Sequence, residues 1–216
     1  MNARELIVSR IAAELKDGDV VNLGIGMPTE VLKYIPASVK VVVQSENGII
    51  DMGPAPEEWA ANPKIINAGG KPTTVNPGGM FIDSATSFGL IRGGHVDVTV
   101  LGAFEVDQEG NLANWKMPGR IAGMGGAMDL VSGAKKVIIA MEHCSKDGKP
   151  KILKQCTLPL TAKGKVGMIV TEKAVISVTP DGLVLDEIQP GSSLEDILAT
   201  TEADLRVPDQ RRESIA

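Results

Sequence analysis

Short apolar runs alternate with helical patterns along most of this 216-residue chain. Apolar residues recur at four-residue spacing from Ile7 to Leu15, and Asn2 with Glu5 forms a capping pattern, which predicts an opening helix ended by Gly18. Continuous runs of Val, Ile and Leu are typical of strands in parallel sheets whose two faces are both covered. They predict strands at 20–23, 39–44, 96–102, 135–141 and 166–171.

The last third of the chain adds a different pattern. Residues 174–178 and 183–185, joined through Pro180-Asp181-Gly182, predict an antiparallel hairpin. A further helix is predicted at 83–91, and a last one is predicted to be capped by Ser192 with Glu195. We therefore expect one α/β domain over residues 1–216, with a mostly parallel sheet, a late hairpin and a loose charged tail from about 206.

The middle of the chain, residues 51–80, lacks a clear period. Five prolines interrupt it, together with several glycines. A compact domain rarely keeps so long an irregular stretch without a use, so we interpret it as binding loops.

Composition narrows the function classes. A net charge of −5 argues against a broad nucleic-acid surface, and no apolar run approaches membrane-spanning length. The first residues lack the apolar core of a signal peptide. From the missing signal peptide and membrane-length run we expect a cytoplasmic protein. Cys144 and Cys156 match no metal or redox spacing, and neither His95 nor His143 has a partner at ligand spacing, so we expect no metal.

A carboxylate at the end of a strand is the first candidate for chemistry. Glu46 follows the apolar run at 41–43 and precedes Asn47-Gly48, a common turn signal. It is either a solvated charge beside a turn or a nucleophile. Ligands of open α/β sheets bind at the carboxyl ends of strands, and Asn22, at the end of the preceding strand, is expected near it.

Two glycine clusters also suggest sites. Gly24-x-Gly26 fails the dinucleotide fingerprint because Thr29 stands where the third glycine is required. It remains a candidate tight turn that lets a ligand approach the backbone. The cluster at 123–127 is either a flexible loop before a helix or a set of amide N–H groups for a developing oxyanion. The chain has no Gly-x-Ser-x-Gly elbow, which removes the commonest serine-hydrolase route.

Four motifs follow one another along the chain: Val21-Asn22-Leu23-Gly24-Ile25-Gly26-Met27-Pro28-Thr29, Gln44-Ser45-Glu46-Asn47-Gly48, Asn67-Ala68-Gly69-Gly70 and Gly123-Met124-Gly125-Gly126-Ala127-Met128-Asp129-Leu130. Together they resemble the β subunits of family I CoA-transferases, most of all the 3-oxoacid and acetate/acetoacetate types. The resemblance is continuous from about residue 3 to 202. It implies an open α/β sheet with helices on both faces.

The resemblance also implies roles for single residues. Glu46 becomes the nucleophile that forms an acyl anhydride and then a glutamyl-CoA thioester in a ping-pong reaction. Asn22 and a backbone amide of Gly125 or Gly126 become the oxyanion donors. CoA is a substrate in this chemistry, and no cofactor is expected.

Further residues are expected to contact the substrates. Gly24 and Gly26 are expected to shape the acyl pocket, and Asn47 to border the opening through which the thioester arrives. Lys71 is either a CoA-contacting cation or an exposed loop lysine.

The family pairs this half-enzyme with an α subunit, so an α2β2 assembly is expected, without nucleic acid or membrane partners. The leading hypothesis is CoA transfer between a short-chain acyl-CoA, such as succinyl-CoA or acetyl-CoA, and acetoacetate or another carboxylic acid. The alternatives are an acyl-CoA hydrolase on the same scaffold and a non-catalytic metabolite sensor.

Overall fold

Ten strands form one mixed sheet in the computed structural model, which describes residues 1–208. Its strands are β1 Val20–Leu23, β2 Val42–Ser45, β3 Ile49–Met52, β4 Val75–Phe81, β5 Val98–Leu101, β10 Lys136–Ala140, β12 Met168–Val170, β13 Ala174–Thr179, β14 Gly182–Ile188 and β15 Leu205–Arg206. Across the sheet, the strand order is β15-β14-β13-β12-β10-β5-β1-β2-β3-β4. Two small sheets contain β6 Glu105–Asp107, β7 Leu112–Ala113, β8 Lys116–Met117, β9 Arg120–Ile121 and β11 Ile152–Leu153.

The centre of the large sheet is parallel, as predicted. Strands β2, β1, β5, β10 and β12 all run in the same direction, while β3 and β4 at one side and β13 and β14 at the other are antiparallel additions. The β13–β14 pair is the predicted hairpin. Its turn ends at Gly182, whose φ of +104° suits a residue without a Cβ.

Helices cover both faces of this sheet. They are α1 Ala3–Ala12, α2 Ser84–Arg92, α3 Ala127–Gly133 and α4 Leu194–Thr200. Each face of the sheet has its own hydrophobic core, and β10 contributes to both. Val137 and Ile139 pack into the core beneath α2 and α3, and Ile138 and Ala140 pack into the core beneath α1. Alternate residues of a strand point to opposite faces, so a continuous apolar run supplies both cores. The predicted fold class is confirmed.

Several boundaries differ from prediction. The Asn2 and Glu5 capping box starts α1, but the helix ends at Ala12, before Gly18. The N-cap of α4 is Ser193, whose side chain accepts from the Asp196 amide, so the prediction of Ser192 was wrong by one residue. Adjacent serines are indistinguishable by residue type, and the observed cap, Ser193, has the extended backbone that an N-cap requires.

The irregular middle contains two strands that were not predicted. β3 and β4 extend the sheet beyond β2, and β4 includes Pro77, Gly78 and Gly79. An edge strand tolerates proline because one of its sides needs no donor. The stretch between these strands holds the short 3₁₀ segment Glu58–Ala60 and connecting turns.

The C-terminal end is only partly described. Leu205–Arg206 form β15 against β14, whereas residues 209–216, which make up most of the predicted tail, lie outside the described residues. No helix among residues 1–208 has the length and apolar character needed to cross a bilayer.

His143 is a fully buried side chain held by two hydroxyl groups. Its Nδ1 lies 2.9 Å from Thr171 Oγ1 and its Nε2 lies 2.9 Å from Thr201 Oγ1. A hydroxyl can donate or accept, so the pair suits a neutral imidazole. Burial, together with the nearby Lys173 charge, lowers the pKa of His143 to about 4. This geometry agrees with the structural role predicted for His143.

We expect the His143 imidazole to make stability depend on pH. Its folded pKa lies below the 6.5 of the unfolded chain, so the unfolded state binds the proton more tightly. The contribution is complete above the unfolded value and is lost as pH falls toward the folded one. Urea unfolding is expected to show that, from pH 7 to pH 5, the free energy of unfolding falls by about 2 kcal/mol more for the native chain than for His143→Gln.

The exposed His95 offers the matched control. His95→Gln makes the same exchange at an exposed position, and this variant is expected to follow the native pH dependence. Parallel pH profiles for the native chain and His143→Gln would contradict the buried neutral imidazole.

Candidate active site

A cavity of about 1060 Å³ opens at the carboxyl edge of the central strands. Its walls include Gly24 after β1, Glu46 after β2, Leu101 at the end of β5 and Ala140 at the end of β10. Parallel strands bring their carboxyl ends to one edge, where the connecting loops leave a crevice for a ligand. The cavity therefore lies where the fold class predicts a site.

Glu46 is positioned by a tight turn that only glycine can complete. Strand β2 ends at Ser45, and the Gly48 amide donates to the Ser45 carbonyl at 2.9 Å. Gly48 has φ +118°, and a Cβ there would lie 2.2 Å from the Ile82 carbonyl oxygen. The Ile82 amide in turn donates to the Gly48 carbonyl at 2.9 Å. The backbone that follows Glu46 is thus clamped against the segment before α2.

Asn22 meets Glu46 directly. Its side chain is 1% exposed, and its Nδ2 lies 3.2 Å from Glu46 Oε2. The same nitrogen lies 2.6 Å from Gln44 Oε1 and 3.1 Å from the Gln44 carbonyl oxygen. The expectation that Asn22 lies near Glu46 is confirmed. An amide nitrogen with two hydrogens thus has three acceptors, one of them the carboxylate.

Gln44 is a positioning group that the sequence interpretation missed. Its Oε1 accepts from Asn22, and its Nε2 donates to Ser87 Oγ of α2 at 2.8 Å. Both Gln44 and Ser87 are buried, so this pair satisfies polar groups away from solvent. The available signal was a polar residue directly after the apolar run at 41–43, and its partner on α2 is distant in the sequence.

The glycine cluster also borders the cavity beside Glu46. Gly125 and Gly126 both line it, with Gly125 exposed at φ +51° and Gly126 buried as the residue before α3. A Cβ on Gly126 would lie 3.2 Å from Glu46 Cγ and 3.3 Å from the Phe88 ring. Within the described residues, neither glycine amide donates to a backbone carbonyl. Amide donors are therefore available beside the carboxylate.

Gly24 and Gly26 have different positions. Gly24 lines the cavity, and its amide donates to the Val100 carbonyl at 2.8 Å. A Cβ at Gly24 would lie 3.1 Å from Leu101 Cδ2, so glycine keeps the backbone close to β5. Gly26, at φ +93°, precedes the 3₁₀ segment Met27–Tyr34 and is not part of the cavity wall.

Asn47 and Lys71 also lie outside the cavity wall. The Asn47 side chain donates to the Ile66 carbonyl at 2.7 Å and so ties the turn after β2 to the loop at 66–72. Lys71 is exposed on this loop, and its backbone amide donates to Asn67 Oδ1 at 3.1 Å. The Ala68 amide donates to Ser45 Oγ at 3.0 Å, which holds the loop beside the end of β2.

The cavity also has walls that come from distant parts of the chain. They include Phe104, Asn114, Arg120, Glu142 and Lys151. None of these residues was predicted at the site, because each reaches it only through the packing of the two small sheets and the loop after β10. Residues 1–208 hold no cluster of His, Cys, Asp or Glu suited to a metal ion.

This arrangement supports acyl chemistry at a carboxylate. Glu46 is half-buried at the cavity wall and keeps its carboxylate beside an amide donor. A carboxylate can attack an acyl carbon, and nearby N–H groups stabilise the negative charge that develops on the acyl oxygen.

Comparison with known proteins agrees with this geometry. The family model described as Coenzyme A transferase matches residues 4–200. The β subunit of the acetate CoA-transferase of Haemophilus influenzae is 59% identical over 99% of this chain and 96% of its own length. One subunit of the succinyl-CoA:3-ketoacid coenzyme A transferase of Helicobacter pylori is 50% identical over 94% of this chain and 99% of its own.

A solved structure extends the agreement to the fold. The acyl-CoA transferase YdiF of E. coli O157:H7, in a thioester complex with CoA, superposes with a TM-score of 0.77 at 26% identity. The match covers 96% of this chain but 42% of the YdiF chain. Family model, relatives and fold all agree, and this chain belongs to the coenzyme A transferase family.

Proposed function

We propose that this chain is the catalytic β subunit of a transferase that moves CoA between a short-chain acyl-CoA and a carboxylic acid, with Glu46 as nucleophile. The observation that carries the proposal is the Glu46 carboxylate at the cavity wall, with Asn22 Nδ2 3.2 Å from its Oε2. A carboxylate suits this reaction because an anhydride and a thioester are both activated acyl groups. The energy of the thioester bond is then conserved.

The first half-reaction has two steps. The Glu46 carboxylate attacks the acyl carbon of the donor, the C–S bond breaks, and a mixed anhydride and CoA thiolate result. The thiolate then attacks the glutamyl carbonyl carbon, which releases the donor acid and leaves a Glu46–CoA thioester. An acceptor carboxylate reverses both steps, so the kinetics are ping-pong. Every group that reacts is either the Glu46 carboxylate or part of a substrate, and no resident cofactor takes part.

Negative charge develops on an acyl oxygen in each step. We assign its stabilisation to Asn22 Nδ2 and to an amide of Gly125 or Gly126, which line the same cavity or contact Glu46. The acyl chain is placed against Gly24, and Gly26 shapes the turn behind it. Asn47 and Lys71 are assigned to the approach of CoA, because the turn that contains Asn47 and the loop that carries Lys71 meet beside the end of β2.

The acids follow from the two kinds of relative. One is named for acetate and the other for succinyl-CoA and 3-ketoacids. We propose acetyl-CoA or succinyl-CoA as donor and acetoacetate as acceptor. Each relative is named as one subunit of its enzyme, and we propose an α partner, an α2β2 assembly and a cytoplasmic location. Light scattering of the co-expressed complex measures the stoichiometry.

Replacing the nucleophile is expected to abolish transfer. Glu46→Gln in the α/β complex is expected to lower kcat with acetyl-CoA and acetoacetate by at least about 10³-fold, since the covalent route is lost. Intact mass spectrometry of the native complex with acetoacetyl-CoA is expected to show a CoA-sized, borohydride-sensitive adduct on Glu46.

Glu202→Gln is the matched control, because Glu202 is an exposed carboxylate that lies outside the cavity wall. It is expected to retain transfer and the adduct. Absence of an adduct under turnover, or an active Glu46→Gln, would overturn the assignment.

Removing the Gln44 side-chain amide is expected to slow the chemical steps. Gln44→Leu keeps a similar volume but deletes the acceptor that holds Asn22 at 2.6 Å. A neutral hydrogen bond contributes about 1 kcal/mol, so kcat is expected to fall roughly five- to tenfold with little change in the acyl-CoA KM.

Ser87→Ala provides the comparison. It removes the far end of the same pair and leaves the Gln44 acceptor in place, so a smaller loss is expected. Equal kcat values for Gln44→Leu and the native complex would show that Asn22 needs no such support.

A further inference from the structure

Lys151 is a cation in the wall of the cavity that contains Glu46. Its side chain is partly buried, while the next residue, Ile152, is fully buried in the core beneath α3. Consecutive residues of extended backbone point to opposite sides. Lys151 is therefore directed to the cavity by the same stretch of backbone that anchors Ile152.

The backbone of Lys151 is held on both sides. Its amide donates to the His143 carbonyl at 3.2 Å, and its carbonyl accepts from the Val106 amide at 3.0 Å. His143 is itself fixed by Thr171 and Thr201. The ammonium group consequently extends from a rigid base, as a specificity residue requires.

The Lys151 ammonium has no close protein partner in residues 1–208. It forms neither an ion pair nor a side-chain hydrogen bond there, whereas the Lys173 ammonium lies 2.8 Å from Asp196. Burial lowers the pKa of Lys151 below its ordinary value. The charges of Glu142 and Glu172, which act on Lys151 only at longer range, raise this pKa but do not offset the effect of burial. The Glu172 carboxylate already accepts from the His143 amide at 2.9 Å. A partly desolvated cation without a close counter-ion is suited to an anionic ligand.

Apolar groups form much of the wall of the cavity that Lys151 lines. Leu101, Leu130, Ala140 and Met141 all line the cavity. A carboxylate that enters such a wall needs a cation, because burying an unpaired charge is costly. A four-carbon dicarboxylic acid keeps one free carboxylate when its other end is joined to CoA, whereas an acetyl group presents none.

We infer that Lys151 is a specificity-determining residue whose ammonium binds the free carboxylate of a dicarboxylic acyl-CoA while Glu46 attacks the thioester. This inference rests on the proposed function. The chemistry that Lys151 recognises is an anionic oxygen group, and CoA phosphate is the other source of one. Substrate comparison separates the two, since every acyl-CoA carries the phosphates but only the dicarboxylic one carries the second carboxylate.

The test uses the co-expressed α/β complex with acetoacetate as acceptor and either succinyl-CoA or acetyl-CoA as donor. Lys151→Met is expected to lower kcat/KM for succinyl-CoA at least tenfold, mainly through KM, and to change that for acetyl-CoA less than about twofold. Lys151→Arg is expected to restore most of the succinyl-CoA activity. Lys146→Met is the control, because it makes the same change at an exposed turn of the same loop.

Three results would overturn the inference. Equal losses for both donors, with weaker inhibition by free CoA, would assign Lys151 to a phosphate. Unchanged succinyl-CoA kinetics in Lys151→Met would remove it from recognition. A native complex that uses acetyl-CoA but not succinyl-CoA would reject the inferred dicarboxylic substrate and leave the proposed function standing. A native complex that transfers CoA from neither donor would instead reject the proposed function itself.

Lys151→Gln, a smaller polar change, is tested in parallel. It is expected to match Lys151→Met in donor preference if both complexes melt at the native temperature. If Lys151→Met does not fold, the prediction is carried by Lys151→Gln alone, and a native donor preference in that variant contradicts it.

Discussion

The in-register parallel pairing of β1 with β2 is the constraint on which the site depends. It places Asn22 opposite Gln44, so that the Asn22 amide reaches both Gln44 oxygens and the carboxylate two residues further on. A slip of one residue would turn these side chains to the opposite face of the sheet. Because cores on both faces bury the central strands, such a slip would also expose apolar residues to water.

Strand ends hold Asn22 and Glu46 in place, and the adjoining loops complete the site around them. β1 carries Asn22, and the end of β2 supports Glu46, while the turn after it is held by the contact between Gly48 and Ile82. The start of α3 brings Gly126 against the carboxylate side chain. A nucleophile held on strand ends keeps its geometry while the loops admit a large thioester, which is the arrangement that positioning in catalysis requires.

Local patterns predicted the regular elements well where one physical cause dominated. The capping box of α1, the five parallel strands and the late hairpin all follow from short-range rules. The prediction failed where proline and glycine occur inside an edge strand, as in β4, and where two adjacent serines competed to cap α4. In these cases the outcome depends on pairing or backbone conformation and not on residue type.

The sequence by itself determined the α/β class, the carboxylate at a strand end and, through four ordered motifs, the family. The tertiary structure decided which groups surround that carboxylate. Gln44 and Ser87 form a hydrogen bond although they are 43 residues apart in the sequence. Lys151, which is also distant from Glu46 in the sequence, lines the same cavity. Neither is visible in a local pattern, because a local pattern records the burial and period of neighbouring residues, whereas a site is assembled from strand ends and loops that only the packed sheet brings together.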